Sequence, residues 1–191
     1  MFGFEVVWKM LWMQKCLYKS YEFSQIMLRT LFDTNIYGNL LEEPDSEEIE
    51  RRIKEEKEFV VYGFPLIRKE IRNIPKDKAG ARRARILLLE MYDRITEDHF
   101  LKNSIQITGL AKKYYDHYRN LGGIYGWDTN IRIDFMIVAC ASFNGLDIVY
   151  SADNKTMHNK KALKAYEHIN MKENFRTPYF LKYKDLLEKF R

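Results

Sequence analysis

Four acidic residues could share one divalent metal ion if the fold brings them together. They are Asp33, Glu70, Asp134 and Asp153. A cluster of carboxylates repels itself, and each member raises the pKa of the others, unless a cation neutralises the charge. Oxygen-only ligand sets are preferred by Mg²⁺ and Mn²⁺. A metal bound there would lower the pKa of a water molecule and neutralise charge that builds on a phosphate.

Two of these acids follow predicted strands. Asp33 comes directly after the apolar run IMLRTLF at residues 26–32, and Asp153 comes two residues after the segment LDIVYS at residues 146–151. Ligands bind outside the carboxyl ends of the strands in open parallel sheets. The sequence therefore places both carboxylates at the edge of the sheet where a site is expected.

The other two acids lie on predicted helices. Glu70 falls on a helix expected from Pro65 to about Asn73, because proline favours the first position of a helix. Asp134 opens an apolar, alanine-containing helix, and we prefer it to Asp128 because that helix follows it immediately. Both helices leave strand or loop segments, so the same edge could gather all four acids.

Strand and helix patterns alternate along the chain. This order predicts an α/β three-layer sandwich around a central, mostly parallel sheet. Residues 59–62 and 104–108 are candidates for further strands. Asp45 and Glu48 resemble a capping box that opens an exposed helix. Further helical patterns cover residues 81–95, 110–121, 162–170 and 181–190.

Four segments in order resemble those of PIN-domain nucleases, close to VapC-type toxins and their archaeal relatives. They are TLFDTN (30–35), FPLIRKEI (64–71), DFMIVACAS (134–142) and DIVYSADN (147–154). The resemblance covers roughly residues 26–155. The spacings from Asp33 to Glu70 and from Asp134 to Asp153 agree with the family, whereas the 64 residues between Glu70 and Asp134 are slightly long.

The resemblance implies that the four acids are both catalytic residues and ligands of Mg²⁺ or Mn²⁺. It further implies that Asn35 and Ser151 orient them, and that metal-activated water cuts RNA to leave a 5′-phosphate and a 3′-hydroxyl. Each residue also has a simpler interpretation. Asp33 could cap the following helix, and Glu70 could be a surface partner of Arg68 or Arg72. Asp134 could be an acid favoured by the dipole at a helix start, and Asn35 and Ser151 could be a helix cap and a turn residue.

The charge of the chain favours an anionic partner. The formal net charge is +5, and a local basic stretch runs from Arg68 to Arg85. Its arginines could follow an RNA backbone, or they could form a solvated helix face. The arginines concerned are Arg68, Arg72, Arg82, Arg83 and Arg85.

Residues 1–25 are interpreted as an N-terminal extension of uncertain status, and residues 26–191 as the PIN-like nuclease domain. The extension is either an arm that packs on the domain or a partner, or a misassigned start that precedes a true start at Met27. Charged residues interrupt its apolar runs, so neither a membrane span nor a signal peptide is expected. Two cysteines without a metal or disulfide spacing favour a cytoplasmic setting.

The leading hypothesis is a sequence-selective endoribonuclease that acts as the toxin of a toxin–antitoxin pair. Its expected partners are RNA and an antitoxin protein, and a homodimer is possible. The alternatives are an RNA-processing nuclease without an antitoxin and a catalytically silent PIN fold that serves as a binding module. A phosphoacceptor receiver domain ranks last, because no adjacent pair of acids ends the first strand.

Overall fold

A parallel sheet forms the centre of the computed structural model, which describes residues 27–74, 80–129 and 131–191. Its strands are β1 (Leu28–Phe32), β2 (Phe59–Tyr62), β3 (Ile148–Tyr150) and β4 (Tyr179–Leu181). They lie in the order β2-β1-β3-β4, and each neighbouring pair is parallel. The predicted mostly parallel sheet is confirmed. The N-terminal extension, residues 1–25, lies outside the described residues.

Helices fill the segments between these strands. In the described ranges they are α1 (Thr34–Glu42), α2 (Ser46–Glu55), α3 (Pro65–Arg72), α4 (Ala81–Thr96), α5 (Ile105–Asn120), α6 (Ile131–Phe143), α7 (Lys160–Glu173) and α8 (Tyr183–Phe190). No helix of the described residues is long and apolar enough to cross a membrane.

Aromatic contacts show that helices cover both faces of the sheet. Phe59 packs edge-on against Phe190 of α8, with ring centroids 4.9 Å apart. On β4, Phe180 stacks on Tyr166 of α7, with ring centroids 5.5 Å apart. The register of the strands places Phe59 and Tyr179 on the same face of the sheet. Consecutive side chains of a strand point to opposite faces, so Phe180 lies on the face opposite to Phe59. The three-layer sandwich follows.

Helix α6 packs against β1 and β3. Nearly all of its residues are buried, including Cys140, which therefore belongs to the core as its apolar context indicates. A helix that is apolar on all sides is stable only in the interior. Asp134 lies in its first turn, so a largely buried helix carries one of the candidate acids.

Two local predictions are wrong. Residues 104–108 form no strand, because the Ser104 hydroxyl accepts a hydrogen bond from the Ile107 amide (3.2 Å) and thereby caps α5. Asp45 precedes α2 without making a side-chain cap. Its carboxylate instead binds the Arg191 guanidinium at 2.6 and 2.9 Å, a charge-assisted pair that replaces the expected capping box.

Candidate metal centre

Asp33 lies where β1 ends and α1 begins, and only 5% of it is exposed. One carboxylate oxygen accepts a hydrogen bond from the Thr34 amide (2.7 Å). The other accepts hydrogen bonds from the Ser151 hydroxyl (2.7 Å) and from the Asn35 side-chain amide. Asp33 therefore caps the helix, as the simpler interpretation predicts. It also accepts hydrogen bonds from Asn35 and Ser151, the two residues that the resemblance assigns to its orientation.

Asn35 and Ser151 join the end of β1 to the loop that follows β3. The side-chain nitrogen of Asn35 lies 3.3 Å from the Ser151 hydroxyl oxygen. The side-chain oxygen of Asn35 accepts a hydrogen bond from the Ala152 backbone amide (2.8 Å). The Ser151 hydroxyl also accepts from the Asp153 amide (3.0 Å). Because β1 and β3 are parallel neighbours, these contacts fix Asp33 and Asp153 at the same edge of the sheet.

Thr156 joins the other two elements of the site. Its hydroxyl lies within hydrogen-bonding distance of the carboxylates of Asp134 and Asp153. Asp153 also accepts hydrogen bonds from the backbone amides of Lys155 (2.6 Å) and Thr156 (3.1 Å), so the turn after β3 closes around its carboxylate. Sequence reasoning missed Thr156, although a threonine three residues after an aspartate in a turn is a signal for such contacts.

Glu70 is half-buried on α3 and accepts a hydrogen bond from the Thr34 hydroxyl. Thr34 also escaped sequence reasoning. Asp128, the rival of Asp134, is exposed in the turn before α6 and stands apart from these contacts. One continuous series of hydrogen-bonded residues therefore runs through Glu70, Thr34, Asp33, Ser151, Asp153, Thr156 and Asp134.

Burial makes two of the carboxylates hard to ionise. Burial, with the charges of Asp33, Asp153 and Glu70, raises the pKa of Asp134 to about 8, although the hydrogen bond from Thr156 opposes this shift. Burial, with the charges of Glu70 and Asp153, also raises the pKa of Asp33 to about 6, although the hydrogen bond from Ser151 opposes this shift.

Asp153 behaves differently. Burial opposes its ionisation, but the hydrogen bonds from Thr156 and from the Lys155 amide outweigh burial and hold its pKa below the usual range. The site therefore combines one readily ionised carboxylate with two that resist ionisation until a positive charge arrives.

The donor set fits a hard divalent cation. Within the described ranges, no lysine or arginine forms an ion pair with any of the four acids. In the same ranges, no three acidic, histidine or cysteine side chains stand close enough to hold an ion jointly as they are arranged. Mg²⁺ commonly takes only one or two carboxylates and keeps several waters, so pairs of these acids meet its needs.

The basic stretch is only partly free of partners. Arg68 binds both carboxylate oxygens of Asp93 at 2.8 and 2.9 Å, and Arg85 reaches the carbonyl oxygen of Arg72 at 3.4 Å. Arg82 and Arg83 are exposed on the first turn of α4. Their contact with RNA stays a prediction.

Comparison with known proteins shows the fold. No family model matches the chain, and no curated protein matches it. Among solved structures, it is similar to a chain of DNA-bound VapBC from Salmonella typhimurium, with 15% identity, a TM-score of 0.54, and coverage of 82% of this chain and 99% of that one.

Two weaker likenesses are to VapBC2 from Rickettsia felis bound to a promoter DNA fragment and to FitAB bound to the IR36 DNA fragment. Both have 12% identity; their TM-scores are 0.49 and 0.46, and each match covers 81% of this chain and 98% or 94% of the other. The likeness to the Salmonella typhimurium chain agrees with the predicted α/β sandwich around a parallel sheet.

Proposed function

We propose that the protein is a metal-dependent endoribonuclease that hydrolyses RNA phosphodiester bonds. One observation carries the proposal: four carboxylates from four different elements are linked by one hydrogen-bonded series at the carboxyl edge of a parallel sheet. Two of them are buried without a basic partner among the described residues, which is an electrostatic cost that a bound cation relieves.

Each residue of the site has a distinct task in this proposal. Asp33, Glu70, Asp134 and Asp153 would hold a Mg²⁺ or Mn²⁺ ion, some of them directly and the others through its water molecules. A bound ion would supply an activated water and neutralise charge on the scissile phosphate. Asn35 and Ser151 fix the orientation of Asp33 through hydrogen bonds. Hydrogen bonds to a metal ligand from residues that do not themselves contact the metal hold that ligand in one orientation, and they are expected to increase metal affinity.

We further propose that the chain is the toxin of a toxin–antitoxin pair. Two lines support this: the segments around Asp33, Glu70, Asp134 and Asp153 resemble those of VapC-type toxins, and the fold is like that of a chain in the Salmonella typhimurium VapBC structure. The partner would then be a small antitoxin protein. Co-expression with the product of an adjacent gene, followed by co-purification and loss of nuclease activity, tests this part.

Metal dependence is the first test. The full chain is incubated with fluorescent single-stranded RNA in chelator, and then with added Mg²⁺, Mn²⁺ or Ca²⁺. We expect chelation to abolish cleavage and Mg²⁺ or Mn²⁺ to restore it, with little restoration by Ca²⁺. Asp33→Asn should lower the cleavage rate at least about 100-fold, whereas the exposed Asp128→Asn serves as a control and should cleave normally. Full cleavage in chelator would refute the mechanism.

A further inference from the structure

We propose that Thr156 is a positioning residue that sets the separation of Asp134 and Asp153 for one shared cation. This inference rests on the proposed function, because it assigns a task to a residue of the same site. The observation behind it is that one hydroxyl lies within hydrogen-bonding distance of both carboxylates. One of them belongs to α6 and the other to the loop after β3, so Thr156 spans two elements.

Backbone hydrogen bonds of Thr156 hold its hydroxyl in place. The Thr156 amide donates to the Asp153 carboxylate (3.1 Å), and the Thr156 carbonyl oxygen accepts from the Asn159 amide (3.3 Å). The neighbouring His158 amide donates to the Asp153 carbonyl oxygen (3.1 Å). A β-branched side chain on such a turn has few rotamers, so its hydroxyl is a fixed point between the two acids.

Asp134 depends on that fixed point. Only 7% of Asp134 is exposed, and among the residues that the structure describes, Thr156 is the one side chain that donates a hydrogen bond to it. One hydroxyl within hydrogen-bonding distance of both carboxyl groups keeps them near each other in the metal-free protein. A hydroxyl supplies the donor before the ion binds and keeps the oxygens at a spacing that the ion can use.

The consequence is a specific dependence on the hydroxyl. Thr156→Val keeps the shape and removes the donor, whereas Thr156→Ser keeps the donor and removes a methyl group. Outer hydrogen-bond partners of metal ligands typically contribute about 10- to 100-fold to metal affinity. We expect Mn²⁺ to bind the valine variant about 10- to 100-fold more weakly than the natural chain, and the serine variant within about threefold of it.

Mn²⁺ titration of the full chain, followed by electron paramagnetic resonance, measures this directly and needs no RNA. Thr108→Val is the matched control, because Thr108 is exposed on α5 and its hydroxyl bonds only within that helix among the described residues. Thr156→Ala is a second hydroxyl-free variant that introduces no extra volume. Unchanged Mn²⁺ affinity in a folded valine or alanine variant overturns the inference, as does a serine variant that binds as weakly as they do.

RNA cleavage by the same preparations separates the inference from the proposed function. If the natural chain binds Mn²⁺, the valine variant binds it weakly and neither cleaves RNA, the nuclease proposal fails and the role of Thr156 stands. If the natural chain cleaves RNA and the valine variant binds Mn²⁺ equally well, the role of Thr156 fails alone.

Discussion

At the scale of single residues, Asp134 is an ionisable side chain in an apolar environment. A carboxylate in the first turn of a helix gains from the positive end of the helix dipole, yet the other residues of α6 are mostly apolar and buried. Burial raises the pKa of Asp134 to about 8, so the metal-free protein carries it largely protonated at neutral pH. A buried acid of this kind is maintained at a cost in stability, which is common at functional sites.

This cost predicts how the stability of the metal-free protein changes with pH. An unfolded aspartate has a pKa near 3.9, so from about pH 4 to about pH 8 the folded state binds more protons than the unfolded state at Asp134. The free energy of unfolding must therefore fall as pH rises through this window. Asp33, with a pKa of about 6, adds to the fall only in its lower half.

Asp134→Asn should remove the contribution of this carboxyl across the whole window, so that only the fall below about pH 6 that Asp33 causes is left. Stability at pH 8 should rise by at most about 5 kcal/mol. Urea unfolding in chelator at pH 5, 6.5 and 8 measures it, with the exposed Asp128→Asn as the control. An aspartate-to-asparagine variant at 134 that follows the natural chain across this range would show that the carboxyl is not buried as described.

The four acids could be selected from sequence because each follows a strand or lies on a helix that begins near one. The spacing of Thr156 from Asp153 is a local signal as well, but the long-range contacts of Thr34 and Thr156 depend on where their hydroxyls point and could not be predicted. Thr156 contacts Asp134 across 22 positions of sequence, and Thr34 contacts Glu70 across 36. Local pattern carries no information about such pairs, since packing of α3 and α6 creates them.

At the scale of elements, long apolar patterns were reliable and short ones were not. The helices α4 and α6 and strand β1 agree with their predicted segments, because many buried side chains specify each of them. Strand β4 was not predicted: it has three residues and is followed almost at once by α8. A short strand at the edge of a sheet buries too few side chains to leave a clear alternation.

Asn170 of α7 makes a testable connection between elements. It is fully buried, and its amide donates to the hydroxyls of Ser142 on α6 (3.0 Å) and Thr177 (2.9 Å), while its oxygen accepts from Tyr114 on α5. Asn170→Ala leaves these hydroxyls without that partner in a buried site. Each buried group left unsatisfied costs about 1–3 kcal/mol.

We therefore expect Asn170→Ala to lower the free energy of unfolding by about 2–4 kcal/mol. The exposed Asn120→Ala on α5 is the matched control and should change it by less than about 0.5 kcal/mol. Urea denaturation near neutral pH compares the two. A loss at Asn170 as small as that of the control would mean that water replaces the amide and that the network does not join these helices.

At the scale of the whole molecule, the sandwich and its parallel sheet followed from the alternation of strand and helix patterns. The distribution of charge on the surface could be predicted less completely from the sequence. Arg68 belongs to the basic stretch in sequence, but its pairing with Asp93 neutralises it locally, and that contact joins α3 to α4 across 25 positions. Arg82 and Arg83 stay exposed on α4, the helix that packs against the Glu70-bearing α3.

This arrangement predicts that the arginines on the first turns of α4 contribute to RNA affinity more than those on α2. Each phosphate contact with a single strand contributes about −0.7 to the slope of log affinity against log salt. Replacing Arg82, Arg83 and Arg85 together by glutamine should therefore weaken binding and flatten the slope by up to about 2 units. Binding is measured in the Asp33→Asn background, so that RNA stays intact.

A second triple variant on α2, Arg51→Gln with Arg52→Gln and Lys54→Gln, removes the same formal charge and provides the control. Those three cations already pair with Glu48, Glu55 and Glu97. Their loss should change the slope by less than about half a unit, because paired charges release few counterions from RNA. Equal slopes for the two triple variants would leave only a general effect of net charge, and the arginines of α4 would then form a solvated helix face.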